Sequence, residues 1–293
     1  MTELEQPYFV DKNDPVGRLL DAAIVSPDPA AIAAVGLVRD PPISMLSDYT
    51  LRAMHAVAAG TGGVVLEIGA YVGGRTIVLI DGASKSGTDM ITIEEPVEHN
   101  HPQIPTKNSV DDLRRNVVDL SASPERHSLI PGCSFEDWVL GALHHRLLGR
   151  SITFLAWDAD SHFERDFALL APFLNPDCVV MIDDYMAGHA KSGRINRTVD
   201  ALVADGILEQ VAYLPWATWF GRLRHRPDAA MISKWLADWQ SAAEAGDPYC
   251  DRLMSYRERL TRSTAPAVLS FEERQDFWRR ASAWSEPEPE VGT

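Results

Sequence analysis

Val64-Val65-Leu66-Glu67-Ile68-Gly69-Ala70-Tyr71-Val72-Gly73-Gly74-Arg75 is the stretch whose reading decides the fold. Five residues, four of them aliphatic, run into a glycine, which reads as a buried strand ending abruptly. Gly73 and Gly74 then open a helix. Glycines at such a turn let the chain bend sharply and let a ligand approach the main chain. A strand–glycine–helix turn marks the carboxyl edge of a doubly wound sheet, where such folds bind ligands. The spacing is G-x-x-x-G, a poor match to the dinucleotide fingerprint G-x-G-x-x-G. No Gly-Lys-Ser/Thr follows, so a Walker phosphate loop is absent.

The pattern extends in both directions. Helical periodicity covers Ser47 to Ala59 and starts again at Arg75. Strands are expected at Met90–Glu94, His127–Ile130, Ile152–Trp157 and Val179–Ile182, with helices at Ser109–Leu120, Phe135–Leu148, Phe163–Leu174 and Arg194–Ala204. Alternating strands and helices imply a parallel sheet covered on both faces. Leu208–Leu214 and Ala217–Leu223 add a hairpin, hence an antiparallel edge. The expected fold is a Rossmann-like, seven-stranded, mostly parallel sheet with an antiparallel edge hairpin, helices on both faces and extra helices at both ends. Residues 1–45 form an N-terminal arm or cap with a short helix near Pro29–Val38, and 46–225 the main domain. Residues 226–284 form a helical extension, and 285–293 a disordered Pro/Glu-rich tail.

The 293 residues carry 27 basic and 42 acidic side chains, a net charge of −15. A field of that sign repels nucleic-acid backbones and anionic membrane surfaces. Hydrophobic residues make up 45% of the chain, enough for a packed core. Cys133, Cys178 and Cys250 are odd in number and form no CxxC, which fits free thiols in a reducing compartment. The N-terminus shows no secretory signal pattern. No apolar stretch reaches the roughly 20 residues of a spanning helix. A soluble, cytoplasmic protein is the expectation.

Three groups of residues bear chemistry. Glu67 lies in the first strand of the turn, two residues before Gly69. The next strand ends at Glu94, where an acid can take both hydroxyls of a ribose. The third group is acidic: Trp157-Asp158-Ala159-Asp160-Ser161-His162-Phe163-Glu164, and Met181-Ile182-Asp183-Asp184-Tyr185. Neighbouring strand ends lie about 5 Å apart, so Asp158, Asp183 and Asp184 are expected on one rim. Bare carboxylates so close repel, and a hard divalent cation with oxygen ligands relieves them: Mg²⁺, with Mn²⁺ or Ca²⁺ as alternatives. The rival reading is that Asp160 or Asp183 caps the following helix.

The glycine turn and Glu94 resemble motif I and the ribose-binding acid of class I S-adenosylmethionine-dependent methyltransferases. D-A-D-S-H-F-E, L-A-P-F-L-N-P and V-V-M-I-D-D-Y together resemble the metal-dependent sugar O-methyltransferases of the macrocin and aminocoumarin type, and the related small-molecule methyltransferases that include cephalosporin-cluster enzymes. The likeness spans Val64 to Tyr185, under half the chain. It implies Glu67, Gly69, Tyr71, Gly73, Glu94, Ser134 and Asp158 around the cofactor, Asp158, Asp183 and Asp184 as metal ligands, and Asp160 as general base. Ala159 replaces a usual Gly and Ser161-His162 inverts the usual order. His162 is therefore a rival base, an orienting group or an exposed loop residue. Ser134 also reads as the N-cap of the helix from Phe135. The polar stretch Val97–Asn108, with His99 and His101, reads as a mobile lid over the acceptor. The implied activity is methylation of a hydroxyl on a sugar or glycosylated small molecule. Alternatives are a catechol or phenol O-methyltransferase and a non-catalytic nucleoside-binding protein. The aromatic segment from Asp228 to Trp284, with Trp235, Trp239, Met254, Phe277, Trp278 and Trp284, points to a homodimer, or else covers the chain's own sheet.

Overall fold

The computed structural model describes residues 9–159, 162–185, 190–214 and 217–245. Its eight strands are β1 (Phe9–Val10), β2 (Val64–Ile68), β3 (Asp89–Glu94), β4 (His127–Pro131), β5 (Ile152–Trp157), β6 (Leu174–Ile182), β7 (Leu208–Leu214) and β8 (Thr218–Leu223). They form one sheet in the order β1-β7-β8-β6-β5-β2-β3-β4. Strands β2 to β6 pair in parallel, whereas β8 runs antiparallel between β6 and β7. This is the Rossmann-like arrangement the sequence implied, with one strand more. The eighth is the short β1, which pairs with β7 through Phe9↔Tyr213 and Val10↔Ala212. Two residues are too few to show a period in sequence.

Helices α1 (Pro15–Val25), α2 (Pro29–Leu37), α3 (Asp48–Gly60), α4 (Gly74–Lys85) and α5 (Ser109–Leu120) pack one face. Their Leu20, Val35, Met54, Ile77 and Leu113 meet Val65, Ala156 and Met181 of the sheet. Helices α6 (Asp137–Leu147), α7 (Phe163–Leu170), α8 (Ala190–Ala204) and α9 (Ala229–Glu244) cover the other. There Val139, Phe167 and Val199 meet Leu66, Leu155 and Ile182. Adjacent strand residues go to opposite cores because side chains alternate across a sheet.

Helix α1 is missing from the sequence reading, although its start is signalled. Asp14 accepts from the Val16 and Gly17 N–H groups and Pro15 opens the helix, the pairing that starts helices. Strand β6 begins at Leu174 rather than Val179. Pro176 is tolerated there because it lies in a bulge between the Leu174 and Val179 pairings with β5, and β8 pairs only from Val179 onward, so no ladder bond needs its missing N–H. Trp235 and Trp239 of α9 lie on the chain's own Phe167 and Phe135. Met254, Phe277, Trp278, Trp284 and Cys250 lie outside the described residues, while Cys133 and Cys178 are buried and not joined in a disulfide. Among the described residues no single helix is long and apolar enough to cross a membrane.

Candidate active site

Strand order reverses between β2 and β5, and the rim there is extended by backbone bonds beyond the strands. Gly69 N–H donates to the Ile93 carbonyl (3.1 Å), Asp158 N–H to Ile68 (3.0 Å) and Asp183 N–H to Trp157 (3.1 Å). Glu94, Gly69, Asp158 and Asp183 therefore stand in a row at four neighbouring strand ends. Such a switch point is where open α/β sheets bind ligands.

The glycine turn needs its glycines. Gly69 has φ +80°, and a Cβ there would sit 1.8 Å from the Asp158 carbonyl oxygen. Gly73 has φ +88° and caps α4. Tyr71, also left-handed at φ 55°, turns its N–H to the Glu94 carboxylate. Its hydroxyl donates to the Ile104 carbonyl.

Glu94 is the buried acid expected for a diol. Burial pushes it up to about 8, against the Tyr71 N–H and Ser109 hydroxyl that stabilise its charge, and among the described residues no cation stands with the groups that shift it. A buried carboxylate without a counter-ion costs free energy, which two hydroxyl donors would relieve. The residues thus fit a ribose. Because folded Glu94 holds its proton more tightly than the unfolded chain, its contribution is full below its ordinary 4.5 and is lost as pH rises through about 8. Glu94→Gln is expected to melt higher than wild type at pH 8.5 and alike at pH 4.5. It should bind S-adenosylhomocysteine more weakly by about 1.5–3 kcal/mol, the range for hydrogen bonds to a charged group. Melting curves at the two pH values and calorimetry check both signs.

Glu67 is not open to a ligand. Its Oε1 accepts from Arg75 Nε (2.8 Å), and its Oε2 from the Thr76 and Thr92 hydroxyls (2.7 and 3.0 Å). It organises the turn from below. Ser134 faces inward and donates to Asp166 Oδ1 at 2.7 Å. It is not the N-cap of α6, which begins two residues later than the sequence suggested, at Asp137 after Glu136. The Glu136 carboxylate itself takes the Cys133 N–H. His162 is fully buried, with Nδ1 3.7 Å from Glu164. Burial works to raise Glu164, but its bond to His162 and then the charge of Arg194 hold it well below the usual carboxylate range, and Thr198 also donates to it. Asp160 and Ser161 lie outside the described residues.

Asp183 is pushed up to about 8, first by burial and then by the charges of Asp158 and Asp184, against Arg75 and the Thr218 hydroxyl, which donates to Oδ1 at 2.9 Å. Asp184 has a left-handed backbone at φ 60°. The crowding expected of the acidic rim is present, but a divalent ion requires oxygens that converge on one point. Among the described residues no group of three His, Cys, Asp or Glu side chains is placed to hold one. Arg75 already donates to Asp158 Oδ2 (3.2 Å). As placed, the set Asp158, Asp183 and Asp184 does not fit a metal.

The stretch read as a mobile lid is tied down. His99 and Thr106 exchange two backbone bonds of 3.0 and 2.8 Å, and Ser109 N–H closes its base on Val97. The His99 ring stands edge-on to Tyr71 and stacks on His101, with centroids 5.9 and 6.0 Å apart. The stretch lies against the glycine turn.

Arg75 is the site residue that the sequence reading passed over. An Arg at the second position of a helix ordinarily reads as solvated surface, and only the fold shows it buried between two carboxylates.

No protein-family profile matches this chain, and no curated protein matches it. Solved structures do share its fold. Cofactor-bound Rv0187 from MTB is 19% identical, with 75% of this chain aligned to 100% of that one and a TM-score of 0.50. The O-methyltransferase TomG of Streptomyces achromogenes, involved in tomaymycin synthesis and solved with SAM, is 16% identical over 69% of this chain and 93% of that one, at 0.48. An O-methyltransferase from Bacillus cereus in complex with SAH is 17% identical over 69% and 94%, at 0.47. The likeness is one of fold.

Proposed function

We propose that this chain is an S-adenosylmethionine-dependent O-methyltransferase acting on a hydroxyl of a sugar or glycosylated small molecule. The observation that carries the reading is the row of strand ends. A buried acid without a cation, Glu94, flanks a glycine turn, and two carboxylates, Asp158 and Asp183, follow on the next strands. When bound, S-adenosylmethionine supplies an electrophilic methyl group on a sulfonium.

The chain's own residues account for the rest. Glu94 accepts the two ribose hydroxyls, and Gly69 and Gly73 let the main chain pass close beneath. The acidic rim favours a positive charge at the reacting end. The acceptor oxygen bonds to the methyl carbon as the sulfur–carbon bond breaks, and the hydroxyl proton goes to a rim carboxylate. Asp160 is the sequence's candidate for that base. Asp183 is the second, because its raised proton affinity lies near neutral pH, where a general base works best. Asp160→Asn and Asp183→Asn, each with S-adenosylhomocysteine affinity intact, separate the two by which one loses transfer.

The test is methyl transfer from labelled S-adenosylmethionine to a panel of sugars, glycosides and catechols, with and without EDTA. S-adenosylhomocysteine at 100 times its Kd should add about 2.7 kcal/mol of stability. Transfer to catechols alone would move the acceptor to the phenolic class. Loss of transfer with EDTA and its return with Mg²⁺ would restore the metal that the sequence resemblance implies. Stabilisation by NAD and not by S-adenosylhomocysteine would overturn the reading.

A further inference from the structure

Arg75 is 4% exposed, and its guanidinium reaches four acceptors. Nε donates to Glu67 Oε1 at 2.8 Å and Nη1 to Asp158 Oδ2 at 3.2 Å. Nη2 donates to the Gly69 carbonyl at 2.7 Å and reaches that of Ile68 at 3.4 Å. One planar group thus joins strand β2, the glycine turn and the end of β5. Only arginine has a permanently charged, rigid fork able to do this.

Two consequences follow from the placement. The carbonyls that Arg75 holds belong to the residues that start the turn, so their direction, and hence the path of the turn, depends on the fork. The positive charge stands beside Asp158, whose neighbour across the rim is Asp183. That is the place where a divalent cation would otherwise offset the carboxylates. Resting on the methyltransferase reading above, we propose that Arg75 is a positioning residue and the resident cation of the rim: it holds Asp158 through its guanidinium, offsets the rim's negative charge and fixes the glycine turn beneath the methyl donor.

Wild type, Arg75→Lys, Arg75→Gln and Arg75→Met separate charge from fork. Each is first melted to establish that it folds, with the Gln variant standing in if the Met variant does not. Mn²⁺ binding is then followed by the electron paramagnetic resonance of the free ion, and S-adenosylhomocysteine binding by calorimetry. Wild type and the Lys variant are expected to bind Mn²⁺ equally weakly. The Met or Gln variant should bind it about tenfold or more tightly, because Asp158 has lost its cation; tenfold is about 1.4 kcal/mol. S-adenosylhomocysteine affinity should fall about tenfold in every variant, Lys included, since an ammonium cannot span two carbonyls and two carboxylates. A purely structural role would lower melting temperatures without raising Mn²⁺ affinity. Micromolar Mn²⁺ binding by wild type that Asp158→Asn abolishes would overturn the proposal, as would unchanged S-adenosylhomocysteine affinity in the variants. If wild type binds no S-adenosylhomocysteine, the methyltransferase reading falls, while the Mn²⁺ comparison still decides whether Arg75 is the resident cation.

Discussion

Asp166→Ala is expected to destabilise the protein by about 3–5 kcal/mol, the cost of breaking a buried ion pair by removing one member. Asp166 is fully buried, and its Oδ1 accepts from Arg165 Nε at 2.9 Å and from the Ser134 hydroxyl at 2.7 Å. Its Oδ2 accepts from the Trp157 indole at 2.8 Å. Arg165 is 1% exposed and lies 4.2 Å from the Phe135 ring centroid and 5.6 Å from that of Trp239. Removing Asp166 takes the paired carboxylate from that guanidinium and frees the loop after β4 and the last residue of β5 together. The melting temperature should fall by roughly 10 °C, at about 2–4 °C per kcal/mol for a domain of this size. Arg165→Met with Asp166→Leu should recover much of the loss, since apolar replacement of a buried pair is often neutral or stabilising. Calorimetric melts of the single and double variants check this. A loss under about 1 kcal/mol for Asp166→Ala would mean that the charge of Arg165 is satisfied without Asp166.

The same pair shows why part of the site is hidden from sequence reading. Adjacent Arg165 and Asp166 at the start of a helix read as solvated charges, and nothing local signals that Trp239, more than seventy positions later, will cover them. Arg75 is hidden for the same reason. Nothing at its place in α4 signals that its side chain turns inward onto Glu67 and Asp158. Residues whose role depends on strand adjacency alone were legible, because topology follows from alternation. Glu94, Gly69, Asp158 and Asp183 stand on one rim as their places at strand ends implied.

The fold was legible where period and length agreed. Val64–Ile68, Ser109–Leu120, Ile152–Trp157 and Leu208–Leu214 have the bounds their patterns gave. The pattern was silent for β1, which is too short, and for α1, where capping rather than period carries the signal. It placed the start of β6 late because Asn175-Pro176-Asp177 reads as a turn; the strand pairs with β5 at Leu174, bulges through these residues, where Asp177 N–H donates to Asn175 Oδ1, and pairs again from Val179.

Gly69→Ala tests the turn itself, and its expected effect is large on both stability and binding. The added methyl would lie 1.8 Å from the Asp158 carbonyl oxygen and 2.6 Å from its carbon. Those atoms are backbone, so no side chain can swing aside. Residue 69 has φ +80°, which costs an L-residue about 1–2 kcal/mol. Overpacking adds about 1–3 kcal/mol. Relief requires β5 to move away from β2 at the rim, which lengthens the Asp158 N–H to Ile68 bond, now 3.0 Å. It would also displace the Gly69 carbonyl from Arg75. Strand spacing at the cofactor edge and the direction of Asp158 therefore change together. The variant should lose about 2–5 kcal/mol of stability, the sum of the two terms. Its S-adenosylhomocysteine affinity should fall below the reach of calorimetry even at temperatures where it remains folded. Gly87→Ala is the control: it too has positive φ, at +68°, but no atom lies within 4 Å of the added methyl. It should cost only the backbone term of about 1–2 kcal/mol and leave cofactor affinity unchanged. Equal losses in the two variants would show that backbone strain, and not the closeness of β2 to β5, makes glycine necessary at position 69.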